Sequence, residues 1–414
     1  MANSLENIIT NPGLEHLGLS ILRHLNTKTL LNLRLVNHSC KYFVENPRFW
    51  LKKLKYMQSG SMEIYKAWSS LILKVEEEEN FDLDQNVVLN LIKLLNCFQQ
   101  SWVPFKFLPL NVFSLFGDLP MVKFMTKTNM VENLSRKSVS KFIEEWTPVH
   151  LAAERGHTEI VKALIECTGN PIVPNTYGET PIHCAAKHGY SEIVKTLIAF
   201  TDNPNAPNHF GYTPISFAAD KGHTEIVKIL IECTDIPNAP DNYGRTPIHD
   251  AAKNGHTESL KALIACTDNP NAPDNGGSTP IFEAAMNGHI EIVKTLIERV
   301  ENPNAPKNDG RTPIHIAAAK GHIEIVKILI ECTDRPNAPD NSGNTPIHCA
   351  ASNGHTEIVK NLIGYTDNPN TPNHYGMTPY ELAQLNDHVE TMKFFESVFD
   401  IDKSTIYLNI MFIS

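Results

Sequence analysis

The chain has 414 residues, 42% hydrophobic and 20% charged, with a net charge of −10; this is ordinary globular usage with room for two or three domains. The negative balance argues against nucleic-acid binding, which needs clustered Lys and Arg to neutralise phosphates. No apolar run reaches the roughly 18–20 residues of a membrane span, and Met1-Ala2-Asn3-Ser4-Leu5-Glu6 lacks the basic and apolar blocks of a secretory signal.

The first predicted domain covers 12–56. Ile21, Leu22, Leu25, Leu30, Leu33 and Val36 lie at helical spacing across two short helices broken by Asn26-Thr27-Lys28. Phe49-Trp50 closes the segment after Asn46-Pro47. The run from Ile21 to Val36, ending in Asn46-Pro47-Arg48-Phe49-Trp50, resembles an F-box. Two places depart from that family. Asn11-Pro12-Gly13-Leu14-Glu15 is only a loose stand-in for the opening Leu-Pro-x-Glu, and Cys40 stands where a Trp is common. The resemblance implies a partner, the Skp-type adaptor of a cullin-RING ubiquitin ligase, held through Ile21, Leu22, Leu25, Leu30, Leu33, Val36 and Trp50. The alternative is a small helical cap on the rest of the chain.

Residues 57–104 read as a helical linker region. Glu76-Glu77-Glu78-Glu79 is a solvated charge run. Asp84 to Gln99 reads as one amphipathic helix through Val87, Val88, Leu91, Leu94 and Leu95.

From 105 to 396 the chain repeats. Eight Thr-Pro pairs stand 33 residues apart: Thr147, Thr180, Thr213, Thr246, Thr279, Thr312, Thr345 and Thr378. A fixed period of this length marks one small unit copied end to end. In the copy from Thr246, the Thr suits an N-cap and Pro247 the first helical position. Ile248, Ala251 and Ala252 give a short apolar stripe, and Gly255 suits a left-handed helix stop. A second helix starts near Thr257 with Leu260, Leu263 and Ile264 on one face. A turn-rich segment with two prolines then returns to the next Thr-Pro, so turns are expected there in place of paired strands. The Ala pair recurs in seven copies, where only a small side chain lets neighbouring helices approach. Glu and Lys three apart on every second helix read as a solvated face.

Gly310-Arg311-Thr312-Pro313-Ile314-His315, with Ala317-Ala318, Gly321-His322 and Glu324-Ile325-Val326-Lys327, resembles the ankyrin repeat. The expected fold is therefore all-α: a helical solenoid, an ankyrin array of about nine copies, preceded by the small F-box-like helical domain. Leu108-Pro109-Leu110, Gly117 and Met121-Val122-Lys123 read as a worn first copy, joined to the second by a connector six residues longer than the usual one. In the last copy Gln384 and Asp387 replace an Ala and the stop Gly, as suits a polar terminal cap. Residues 397–414 are a tail, whose apolar stretch Ile406–Ser414 is expected to fold back on the last copy.

Cysteines and histidines both follow the repeat. Cys167, Cys233, Cys266 and Cys332 share one position, and Cys184 and Cys349 another. Equivalent atoms in packed helices lie about 8–10 Å apart, beyond the about 7 Å that a disulfide allows. Reduced thiols follow, with the cytoplasm as the expected location and the nucleus as the alternative. Histidines occupy the third position after Thr (His150, His183, His249, His315, His348) and the tenth (His157, His223, His256, His289, His322, His355, His388). In ankyrin repeats those positions serve hydrogen bonding between loops and copies. No Cys/His set has zinc spacing, and no phosphate loop, nucleophile elbow or metalloprotease motif occurs. We expect no enzyme, no metal and no cofactor.

The ankyrin resemblance implies that a protein target meets the finger tips and the exposed ends of the first helices. Tyr177, Phe210 and Tyr243 stand three residues before successive Thr, with Tyr212 just before Thr213. They are expected to form an exposed aromatic strip of a kind enriched at binding hot spots; packing on the finger prolines is the alternative. Lys187, Lys221, Arg245, Arg311 and Lys320 share this face and fit an acidic or mixed-charge partner. The two modules together suggest a substrate receptor of an SCF-type ubiquitin ligase. The alternative is an ankyrin scaffold with no ligase role.

Overall fold

The computed structural model describes residues 109–127, 146–167 and 170–399. The F-box-like segment with its adaptor residues, the linker region, most of the long first connector and the tail from residue 400 onward lie outside the described residues. Among the described residues every regular element is a helix, and they divide into two compact units between Asp202 and Asn203.

Among the described residues the first unit holds three helix pairs: α1 (Pro109–Phe116) with α2 (Leu119–Lys127), α3 (Pro148–Glu154) with α4 (Thr158–Ile165), and α5 (Pro181–His188) with α6 (Ser191–Ile198). The second holds six. They are α7 (Pro214–Lys221) with α8 (Thr224–Ile231), α9 (Pro247–Asn254) with α10 (Thr257–Ile264), and α11 (Pro280–Asn287) with α12 (Ile290–Ile297). Then come α13 (Pro313–Lys320) with α14 (Ile323–Ile330), α15 (Pro346–Ser352) with α16 (Thr356–Leu362), and α17 (Pro379–Leu385) with α18 (Val389–Val398).

Within each unit first helices pack on first helices and second on second, with each pair closed internally. The Ala pairs explain the close first-helix layer: Ala251, Ala252, Ala284, Ala285, Ala317 and Ala318 are fully buried. The second helices bury Ile292, Val293 and Leu296 in α12 and their counterparts elsewhere. They turn Glu291 and Lys294 outward as a 3.4 Å ion pair. The worn first copy is a full pair, burying Phe113, Met121 and Val122, and α1 packs on α3 as α2 does on α4.

From α3 onward each first helix starts the way its Thr-Pro predicts. Thr213 Oγ1 accepts from the Ser216 backbone N–H at 3.2 Å, while Ser216 Oγ accepts from the Thr213 N–H at 2.8 Å. That reciprocal box satisfies two donors that a helix start otherwise leaves open. The helix stops behave likewise. Gly255 takes φ 81, and a Cβ there would lie 2.7 Å from the His289 ring. Asp387, at the same position of the last copy, is the one non-glycine with positive φ (57) among the described residues. A left-handed L-residue carries a backbone cost of about 1–2 kcal/mol, less for Asp than for most, so Asp387→Gly is expected to stabilise the protein by up to about 1 kcal/mol. A lower urea midpoint in that variant would show that the carboxylate makes compensating bonds.

The fingers between copies contain turns and, among the described residues, no strand. Side chains take over the role of a ladder. Asp241 Oδ1 accepts the backbone N–H of Tyr243 at 2.8 Å and of Arg245 at 2.9 Å, folding one tip around its own carboxylate. Asp274 and Asp340 do the same in later fingers, as do Asn208 and Asn373.

Candidate partner-binding surface

In four copies a histidine, His150, His249, His315 or His348, locks the next finger to the helix before it. In α9 the Thr246 N–H donates to His249 Nδ1 at 3.1 Å, and His249 Nε2 reaches Ser278 O, in the next finger, at 3.0 Å. Because a backbone N–H can only donate, Nδ1 must be the bare nitrogen and Nε2 the protonated one. The neutral ring thus uses both its nitrogens. His315 repeats the arrangement with Thr312 and Asn344 O, and His348 with Thr345 and Met377 O. Burial lowers the proton affinity of all three, His348 to about 4. The tenth-position rings tie neighbouring copies together: His256 Nε2 lies 3.0 Å from Asp220 O and His388 Nε2 3.0 Å from Ser352 O. These histidines therefore serve the scaffold.

An asparagine ladder joins the finger tips of the second unit. Asn242 gives its backbone N–H to Phe210 O and its amide to His209 O, both at 3.0 Å. Asn275 does the same to Tyr243 O at 2.9 Å and Asn242 O at 3.2 Å, and Asn308 and Asn341 continue the series. Each neutral bond of this kind is worth about 1 kcal/mol net. Aromatic and cationic side chains do not point to these rungs. Their only signal in the sequence is Asn four residues before Thr246, Thr279, Thr312 and Thr345.

The ladder holds the tip backbone while the tip side chains face outward. In the second unit Phe210 is 47% and Tyr243 61% exposed. In the first unit Tyr177 is 38% exposed and Lys187 lies exposed at the end of α5. Tyr212 differs: it is half-buried, with its ring 5.8 Å from that of Phe217.

The cations of this face are matched by carboxylates. Arg245 bridges Asp250 at 3.4 Å and Glu283 at 3.8 Å, and only a fifth of its side chain is exposed. Lys221 pairs with Asp220 at 2.9 Å. The exposed Arg311 stands 4.0 Å from Asp309 and 3.7 Å from Asp340. The Arg245 and Arg311 contacts are long beside the roughly 2.7–2.9 Å of a charge-assisted bond. Burial, with Asp220 and Asp241 nearby and despite Arg245, pushes the Asp250 carboxyl up to about 7. The face of the second unit is thus mixed in charge and not basic.

A pocket of about 290 Å³ opens where the later fingers meet the first helices. Ile316 and Ala319 of α13, Cys349 of α15 and Leu382 of α17 line it, with Arg311 among its residues. His315 and His348 also reach it, but their nitrogens are already engaged. Burial pushes the Cys349 thiol up to about 11, which keeps it protonated and poorly nucleophilic. No group of three or more His, Cys, Asp and Glu that could hold a metal occurs among the described residues. What the surface offers is shape, aromatic rings and paired charge, the means of holding another protein.

Comparison with known families agrees with this geometry. The profile described as "Ankyrin repeats (3 copies)" matches 110–208, 199–274, 260–340 and 332–405. The profile described as "F-box domain" matches residues 15–52. Comparison with curated proteins finds no match to this chain. The repeat matches run from 110 to 405, well over half of the 414 residues, and with these helix pairs behind them the chain belongs to the ankyrin-repeat family and carries an F-box domain ahead of its repeats.

Proposed function

We propose that the protein is a substrate receptor of an SCF-type cullin-RING ubiquitin ligase. In this reading the F-box docks the Skp-type adaptor and the ankyrin repeats hold the protein to be modified. Both modules are interaction modules, and their pairing on one chain is the observation that carries the reading. The adaptor complex would bring the catalytic machinery. The apolar residues at helical spacing, Ile21, Leu22, Leu25, Leu30, Leu33 and Val36, with Trp50, are the proposed adaptor contact.

Co-purification with a Skp-type adaptor tests this. Wild-type protein is expected to retain the adaptor, and Leu22→Asp combined with Leu25→Asp is expected to release it while the repeats keep their far-UV spectrum. Absence of adaptor from the wild type, or retention by the double variant, would sink the ligase role. Deleting residues 1–56 separates the scaffold reading, under which the repeats lose thermal stability and no adaptor complex is lost.

The target is proposed to contact Tyr177, Phe210, Tyr212, Tyr243, Lys187, Lys221, Arg245 and Arg311. Tyr243 is the most exposed of these aromatics. Truncating such an aromatic anchor typically weakens binding by about 1–2 kcal/mol or more, so Tyr243→Ala is expected to lower target affinity at least fivefold with thermal unfolding unchanged. An equal loss of affinity and stability would assign the ring to the scaffold.

A further inference from the structure

The face between fingers and first helices in the second unit changes character along its length. At one stretch Asp220, Asp250 and Glu283, from α7, α9 and α11, are paired with two cations, Arg245 and Lys221, while Asn254 and Ser278 donate neutral hydrogen bonds to Asp220 and Glu283. Asp241 adds a further carboxylate to the same stretch. It is more than nine-tenths buried and leaves Oδ2 without a hydrogen-bond partner. Further along, from α13 to α17, a pocket has an apolar side made by Ile316, Ala319, Cys349 and Leu382, with the polar Asn344, Ser352 and Asn353 on its rim. Carboxyl groups that outnumber their cations favour an incoming positive charge, and an open apolar pocket favours an aliphatic side chain.

We propose that this face binds an unfolded segment of the target protein that places a Lys or Arg beside Asp250 and Glu283 and an aliphatic side chain in the pocket lined by Ile316, Ala319, Cys349 and Leu382. The proposal rests on reading the repeats as the target-binding arm. Its spacing follows from the fold. First helices pack about 8–10 Å apart, so the two subsites lie about 20–25 Å from each other. An extended chain advances about 3.3 Å per residue, which sets the basic and aliphatic residues about seven positions apart.

Proton linkage gives the interaction a second signature. Arg245 and Asp241 face Asp250 from its own finger, Tyr212 from the finger before, Asp220 and Lys221 from α7, and Glu283 from α11. Asp250 titrates near 7 in this setting. A bound cation favours its charged form, so binding expels a proton and strengthens as pH rises through that region.

The test is a display selection of random dodecapeptides on the full chain, followed by fluorescence anisotropy with the enriched peptides. Enriched sequences are expected to pair Lys or Arg with Leu, Ile or Met at that separation. Asp250→Asn and Ala319→Leu, which fills the pocket from a half-exposed position, are each expected to weaken binding at least tenfold. Wild-type affinity is expected to fall severalfold from pH 8 to pH 6 and to stay flat in Asp250→Asn. If Asp250→Asn does not fold, Glu283→Gln replaces it in the affinity comparison, and the wild-type pH profile still reads the linkage. No enrichment, enrichment of acidic peptides, or binding indifferent to the variants would overturn the proposal. So would concentration-dependent self-association abolished by the same variants, which would make a second copy the occupant. No adaptor enters this assay, so its failure and the failure of the ligase reading are distinguishable.

Discussion

Asp250→Asn protein is expected to lose about 3 kcal/mol or more of stability between pH 6.5 and pH 4, through its buried histidines. His348 carries the clearest share, with a proton affinity lowered to about 4 by burial, and His249 and His315 move in the same direction. A histidine depressed in the folded state is neutral there while the unfolded chain takes up a proton below about 6.5. Its stabilising contribution is therefore complete above that pH and drains away as pH falls towards the folded value. Geometry gives the same answer independently. Protonating Nδ1 of His348 would set two donors against each other, since the Thr345 N–H already points at it from 3.1 Å. Asp250 acts in the opposite sense. Its carboxyl, raised to about 7, makes the folded state the better proton binder on acidification, which partly hides the histidine effect in the wild type. Removing that carboxylate exposes the loss. Urea midpoints at pH 7, 5.5 and 4 read it, and a His348 ring titrating near 6.5 by NMR in the folded state would contradict it.

The reason so much of this fold is readable in advance is physical. A unit that cannot bury its apolar face alone must meet a copy of itself, so helix starts, Ala pairs and stop glycines recur at one period. Even the worn first copy shows its Gly117, which takes φ 81 just as Gly189 takes φ 83. Charge on the finger face is less readable where pairing crosses copies, as between Arg245 and Glu283. Nothing near Arg245 in the chain announces Glu283, contributed by the first helix of the next copy. Tyr212 looks like one more tip aromatic, yet its position beside Thr213 turns it towards Phe217 of the same copy. The asparagine rungs are visible as a repeat, but their work depends on the tip carbonyl of a neighbouring finger. Periodicity exposes what every copy shares; contacts specific to one pair of copies need three dimensions.

Leu296→Ala is expected to cost about 2–5 kcal/mol and to split unfolding of the second unit into two steps. Leu296 is fully buried in α12, which packs against α10 on one side and α14 on the other. Its removal leaves a cavity that neither neighbour can collapse into without losing its own packing on α9 or α13. In a stack of this kind stability is a sum of copy and nearest-neighbour terms, so weakening one interface uncouples the copies on either side. The two halves then melt separately where the wild type melts together. Far-UV circular dichroism against urea should show the added transition, and hydrogen exchange should place the lost protection first in α11 and α12. Glu291→Ala on the same helix removes only an exposed ion pair with Lys294. That change is expected to stay within about 0.5 kcal/mol. If both variants shift one unbroken transition by the same amount, neighbour-by-neighbour packing is not what holds the copies together.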